Sequence, residues 1–259
     1  MKTATCLIAA VVSLSALPVA AKAGAAVLVA AAADLKFALP AVATAYEAET
    51  GKSVKLTFGS SGQLAAQIAN GAPFEVFLSA DEGLVAGLVA NGVTRDAGHL
   101  YALGPVALYV PEGSPVTPDE NLAGLKAALA VGRLGKFAIA NPEHAPYGRA
   151  ARDALQKAGI WETIQPHLVL GENVSQALQF AETGGANGAL IAAPLVEAPE
   201  FTGKGQHVRV SKALVAPLRQ RLVVLKAAGQ DASEFAAFIM SDKGRAILTK
   251  YGFSAAQRS

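Results

Sequence analysis

Cysteine is nearly missing from this chain. The single thiol, Cys6, lies in an apolar N-terminal stretch, so the chain beyond that stretch would fold with no disulfide and no cysteine metal ligand. Histidine is scarce and scattered, at 99, 144, 167 and 207, with no H-x-x-x-H or H-E-x-x-H spacing, which argues against a metal centre. Charged residues make up only 16% of the chain, without a run of one sign, while 52% is apolar, a balance that excludes extended disorder. Beyond the leader no stretch approaches about 20 clean apolar residues, so no further membrane span is expected. Aromatics are few, at 6%. The excess is alanine, glycine, valine and leucine, which suits helices packed closely on sheets.

What is present begins with a leader. Lys2 precedes an apolar run over residues 6–20, and Ala21-Lys22-Ala23 has the small-x-small form of a cleavage site, so residues 1–23 read as a secretory signal peptide. Its removal takes Lys2 and Lys22 and no acid, leaving 20 of the 22 basic residues against 20 acidic ones. A formal charge of zero speaks against a general binder of nucleic acid or membrane surface. An anion site would have to be built locally, from dipoles and N–H groups.

The chain is organised around Phe58-Gly59-Ser60-Ser61-Gly62-Gln63-Leu64. A β-rich run over residues 54–58 stops at small hydroxyl residues, and an apolar-periodic helix starts. Such a junction leaves unpaired N–H groups and the positive end of a helix dipole facing outward. An ordinary N-cap with a glycine turn reads the same way in isolation. The pattern recurs, however. Strands are expected at 25–33, 54–58 and 74–79, with helices from Asp34, Ser61 and Ala80. A second series has strands at 106–110, 137–140, 168–170 and 188–193, with helices near 122–128, at 149–158 and from Asn173. A strand at 218–225 and two terminal helices close the chain. Alternating strands and helices predict largely parallel sheets, whose ligands bind beyond the C-terminal strand ends. Asp34, as a helix N-cap, Ser61, Tyr147 and Asn173 all fall there.

Several stretches, taken in this order, resemble the periplasmic molybdate-binding proteins of ABC transporters. They are Ala31-Ala32-Ala33-Asp34-Leu35, the Phe58–Leu64 segment, and Gly71-Ala72-Pro73-Phe74-Glu75-Val76-Phe77-Leu78-Ser79-Ala80-Asp81. Later come Asn141-Pro142-Glu143-His144-Ala145-Pro146-Tyr147-Gly148, Gly171-Glu172-Asn173-Val174 and Lys250-Tyr251-Gly252-Phe253. The resemblance implies an α/β, two-lobed periplasmic-binding-protein fold, each lobe a mostly parallel sheet flanked by helices. Lobe I would take residues 24–104 and 218–259, lobe II residues 105–217, with crossings near Leu103-Gly104-Pro105 and Ala216-Pro217-Leu218. It further implies a periplasmic monomer without catalytic activity or cofactor, whose ligand is molybdate or tungstate and whose partner is an ABC permease with its ATPase. Carried over by position, the ligand-binding residues are Asp34, Ser61, Tyr147, Asn173 and Val174.

Two positions depart from the family pattern. Asp34 stands where the family has a serine, and Ile191 or Ala192 where it has a tyrosine. A carboxylate facing a dianion at 4 Å is repelled by about 4 kcal/mol per unit-charge pair at an effective dielectric of about 20. A helix dipole returns only about 0.3–1 kcal/mol. Three arrangements answer this: Asp34 turns aside and offers only its backbone N–H, it accepts a hydrogen bond from a protonated oxyanion such as phosphate or arsenate, or the ligand is a small polar organic. Tyr147 and Asn173 are candidate replacements for the missing hydroxyl. A secreted hydrolase using Ser61 and His144 is the reading from a different class.

Overall fold

The computed structural model describes residues 25–256; the leader with Cys6, expected at residues 1–23, lies outside them. The first half runs β1 (Val27–Ala32), α1 (Ala38–Thr50), β2 (Val54–Gly59), α2 (Ser61–Ala69), β3 (Val76–Ser79), α3 (Glu82–Ala90), β4 (His99–Gly104), β5 (Val106–Pro111) and α4 (Ala123–Ala130). The second half runs β6 (Phe137–Ala140), α5 (Pro146–Lys157), α6 (Trp161–Ile164), β7 (Leu168–Gly171), α7 (Val174–Glu182), β8 (Ala189–Ala192), α8 (Ala193–Val196), β9 (Gly205–Arg209), β10 (Leu218–Val224), α9 (Gln230–Met240) and α10 (Asp242–Lys250).

Two five-stranded sheets result, ordered β2-β1-β3-β10-β4 and β7-β6-β8-β5-β9. In the first, β1 pairs in parallel with β2 and β3, and β10 runs antiparallel between β3 and β4. In the second, β6 is parallel to β7 and β8, and β5 is antiparallel to β8 and β9. The sheets are therefore mixed. The parallel part of each comes from βα repeats; the antiparallel part comes from the strands at which the chain passes from one lobe to the other. Strands such as β1 (VLVAAA) and β6 (FAIA) are apolar throughout because helices cover both faces. Among the described residues three apolar clusters form, one mainly in the second lobe and one on each face of the first lobe's sheet.

Three local differences from expectation bear on function. Asp34 does not cap α1: it sits in a short 3-10 turn, Ala33–Leu35, and α1 begins at Ala38 behind Phe37, which makes no side-chain cap. Helix α5 starts at Pro146 rather than Arg149, because proline suits a first helical position whose N–H has no intrahelical acceptor. Tyr147 thus lies in the first turn of a helix and is buried, not in a solvated loop. Strands β4 and β9 were not expected. β9 (GQHVR) is an exposed edge with one aliphatic residue, and β4 abuts β5 with only Pro105 between them.

Candidate functional site

Three helix N-termini and the 3-10 turn converge on one hollow between the lobes. It is a tight cavity of about 10 Å³, and its walls include Asp34, Ser60, Ser61, Tyr147, Asn173 and Val174. All five residues singled out from the sequence therefore face a common space, from both lobes. The amides of Ser61, Tyr147 and Val174 stand in the first turns of α2, α5 and α7, where a helix supplies no acceptor of its own. No lysine or arginine, among the described residues, lines the hollow. Positive potential there comes from N–H groups and helix dipoles alone.

Short hydrogen bonds hold the polar side chains in place. Ser61 Oγ accepts the Ala80 N–H at 3.0 Å, which leaves its own proton available to the hollow. Asn173 uses its side-chain oxygen to cap α7, accepting from the amides of Ser175 and Gln176 at 3.0 and 3.1 Å. Val174 comes next, as the first residue of that helix.

Asp34 is 1% exposed. Its Oδ2 accepts from the Tyr147 hydroxyl at 3.0 Å and from Gln220 Nε2 at 2.5 Å. Gln220 Nε2 also reaches the Tyr147 oxygen at 3.1 Å, and its Oε1 accepts from Tyr101 at 2.5 Å. The network joins β4 and β10 of one lobe to α5 of the other. Asp34 Oδ1, by contrast, is buried without a hydrogen-bond partner. Burial raises the Asp34 pKa to about 6, although Gln220, Tyr147 and the nearby backbone amides of Asp34 and Leu35 pull it down. Burial, and then the charge of Asp34, hold the Tyr147 and Tyr101 hydroxyls well above their usual range.

The arrangement answers the sequence reading in part. Asp34 is turned aside in the sense that one oxygen is occupied, but the other is not. The Tyr147 hydroxyl is committed to Asp34, so it does not take the place of the missing tyrosine. Ile191 and Ala192 are fully buried and apolar. Gln220 and Tyr101 escaped notice. Gln220 lies between two arginines, yet period-two alternation puts it on the same face as Leu222, and that was its signal.

The lobes meet directly at the rim. Ser60 Oγ donates to the His144 carbonyl at 2.5 Å, and the Gly62 amide donates to the same oxygen at 3.0 Å. Across the hollow, Ser175 Oγ donates to the Ala33 carbonyl at 2.9 Å. Arg149 pairs with Asp81 at 2.5 Å, both side chains about one third exposed. The described contacts pair His144 Nδ1 with Ser60 Oγ at 3.1 Å rather than with Ser61. The Ser60 proton already goes to a carbonyl, so neither serine is set up as a nucleophile activated by His144.

Known proteins resemble this chain in sequence and in fold. The family model for bacterial extracellular solute-binding proteins matches residues 27–254. The molybdate-binding protein ModA of Rhodobacter capsulatus is 38% identical over 208 residues, 79% of each chain. ModA of Azotobacter vinelandii is 34% identical over 93% of this chain and 98% of its own. The solved periplasmic molybdate-binding protein of Azotobacter vinelandii superposes with a TM-score of 0.81 at 28% identity, covering 89% of this chain and all of that one. The chain belongs to the bacterial extracellular solute-binding proteins, and among them to the family of the molybdate-binding proteins.

Proposed function

We propose that the protein captures a tetrahedral oxyanion, molybdate or tungstate, in the periplasm and delivers it to an ABC-transporter permease with its ATPase. The observation that carries this reading is the convergence of the α2, α5 and α7 N-termini on a hollow without cationic side chains. An anion held there meets the amides of Ser61, Tyr147 and Val174 and the Ser61 hydroxyl, with Asn173 fixing the α7 terminus and Asp34 behind. A hydrogen bond to a charged group is worth about 1.5–3 kcal/mol net. Four of them total about 6–12 kcal/mol, a range that contains the roughly 8 kcal/mol of micromolar binding.

Residues 24–104 and 218–259 act as one jaw and residues 105–217 as the other, swinging about the paired crossings and closing on the ligand. The leader at residues 1–23 sends the chain across the inner membrane, and the mature protein works as a monomer without cofactor or catalysis. Calorimetry on the mature protein with molybdate, tungstate, sulfate, phosphate and arsenate tests the proposal. Heat and saturation with molybdate and tungstate at micromolar concentration are expected; no binding of either anion at that level refutes it.

A further inference from the structure

We propose that each oxyanion entering the hollow is bound together with one proton, shared between Asp34 Oδ1 and a ligand oxygen. This rests on the oxyanion reading above and names the charge state in which that site takes its ligand. The geometry has two parts. Oδ2 is occupied by Tyr147 and Gln220, which fixes the carboxyl, while Oδ1 is buried with no partner in a residue that lines the hollow. A buried acceptor left without a donor is costly, and a fully ionised oxyanion has no hydrogen to give it. No lysine or arginine, among the described residues, lines the hollow to offset the two facing anions. One hydrogen on the Oδ1–ligand axis satisfies the orphan acceptor and removes the repulsion together. The rest of the site remains a set of donors for the other ligand oxygens.

The step balances simply. A carboxylate, a dianion and a proton from bulk solvent become one O–H···O unit of total charge −2. One O–H bond forms, and nothing is oxidised or reduced. The hydrogen resides on the carboxyl, which then serves as the donor that a serine would be, or on the anion, which is then a hydrogen-oxyanion; the proton count is the same.

The groups facing Asp34 leave this role to it. Tyr147 from α5 and Tyr101 from β4 are kept neutral by burial, and Gln220 from β10 carries no charge. Lys36, at the end of the same turn, has its ammonium over the Phe37 ring. On the α2 side, Ser60 meets His144, whose other ring nitrogen lies 3.6 Å from Glu172. An Asp34 substitution leaves these His144 contacts in place.

The experiment is calorimetry of the ligand-free mature protein with molybdate, in buffers of different protonation enthalpy, between about pH 6 and about pH 8.5. The native protein is expected to take up close to one proton per anion at the alkaline end, with its apparent Kd weakening about tenfold per pH unit there. Asp34→Ser is expected to lose that uptake and the slope. Asp34→Asn, which keeps an acceptor for Tyr147 and Gln220, gives the same readout should the serine variant fold poorly. Tight molybdate binding by the native protein with no proton uptake, or an identical slope in both variants, overturns the inference and leaves the oxyanion reading standing. Absence of binding to any oxyanion in native and variant proteins alike removes both.

Discussion

Replacing Asp34 by asparagine should stabilise the ligand-free protein, and by an amount that depends on pH. The carboxyl is 1% exposed and its pKa lies near 6, against an ordinary value of 3.8. The folded state therefore holds the proton more tightly than the unfolded chain. Stability from this group is complete below about pH 4 and is lost as pH rises through about 6. A shift of about 2 units at 1.36 kcal/mol each makes the loss about 3 kcal/mol at neutral pH and above. Asparagine keeps an oxygen for Tyr147 and Gln220 and carries no charge to bury. Its amide hydrogens face the space where Oδ1 now has no partner, which returns about 1 kcal/mol of that gain. The variant should thus lie about 1 kcal/mol below the native protein near pH 4 and about 2 kcal/mol above it at about pH 8, the latter about 4–8 °C in Tm for a chain of this size. Urea unfolding followed by circular dichroism at a series of pH values measures it, and the difference between the two proteins cancels carboxylates that titrate alike in both. A native-minus-variant difference that stays constant across that pH range would refute the reasoning.

Gly104→Ala places a methyl group on the Tyr147 hydroxyl and the Gln220 amide and should destabilise the protein by about 1–3 kcal/mol, read by thermal unfolding. Gly62→Ala drives a Cβ into the His144 carbonyl of the opposite lobe, so molybdate affinity in calorimetry should fall at least about tenfold while the ligand-free Tm barely moves. Ser61→Ala removes a hydroxyl from the hollow and the acceptor of the Ala80 amide, for which about 1–3 kcal/mol of stability should be lost together with ligand affinity. Arg149→Ala breaks a partly exposed pair across the rim and should change affinity less than about fivefold, with the effect vanishing in high salt.

Much of the fold was legible because the βα repeats are written in period. The strands at residues 54–58 and 137–140 and the helix starts at Ser61 and Asn173 needed only local rules, and the structure has them at or within one residue of those positions. What was not legible depends on partners distant in sequence. Asp34 looked like a helix cap because aspartate often caps; its carboxyl instead turns to Gln220, 186 residues away, and to Tyr147, 113 away. No local rule ranks such contacts against a cap. Tyr147 fell outside the helix expected over residues 149–158, whose apolar spacing shows only from Ala151 on, yet Pro146 is where α5 begins. β4 ends next to Pro105, where the family resemblance implied only a crossing between lobes and no strand was expected.

Beside the Arg149–Asp81 pair, the contacts that close the rim end on two main-chain carbonyls, those of His144 and Ala33. Main-chain oxygens neither titrate nor change when residues are exchanged. Those two acceptors stay in place when position 34 is rewritten, whereas the Asp34–Tyr147 hydrogen bond, which also spans the lobes, does not. A lineage can rewrite position 34 and so redirect its cargo, while the part of the closing force that rests on those carbonyls stays as inherited.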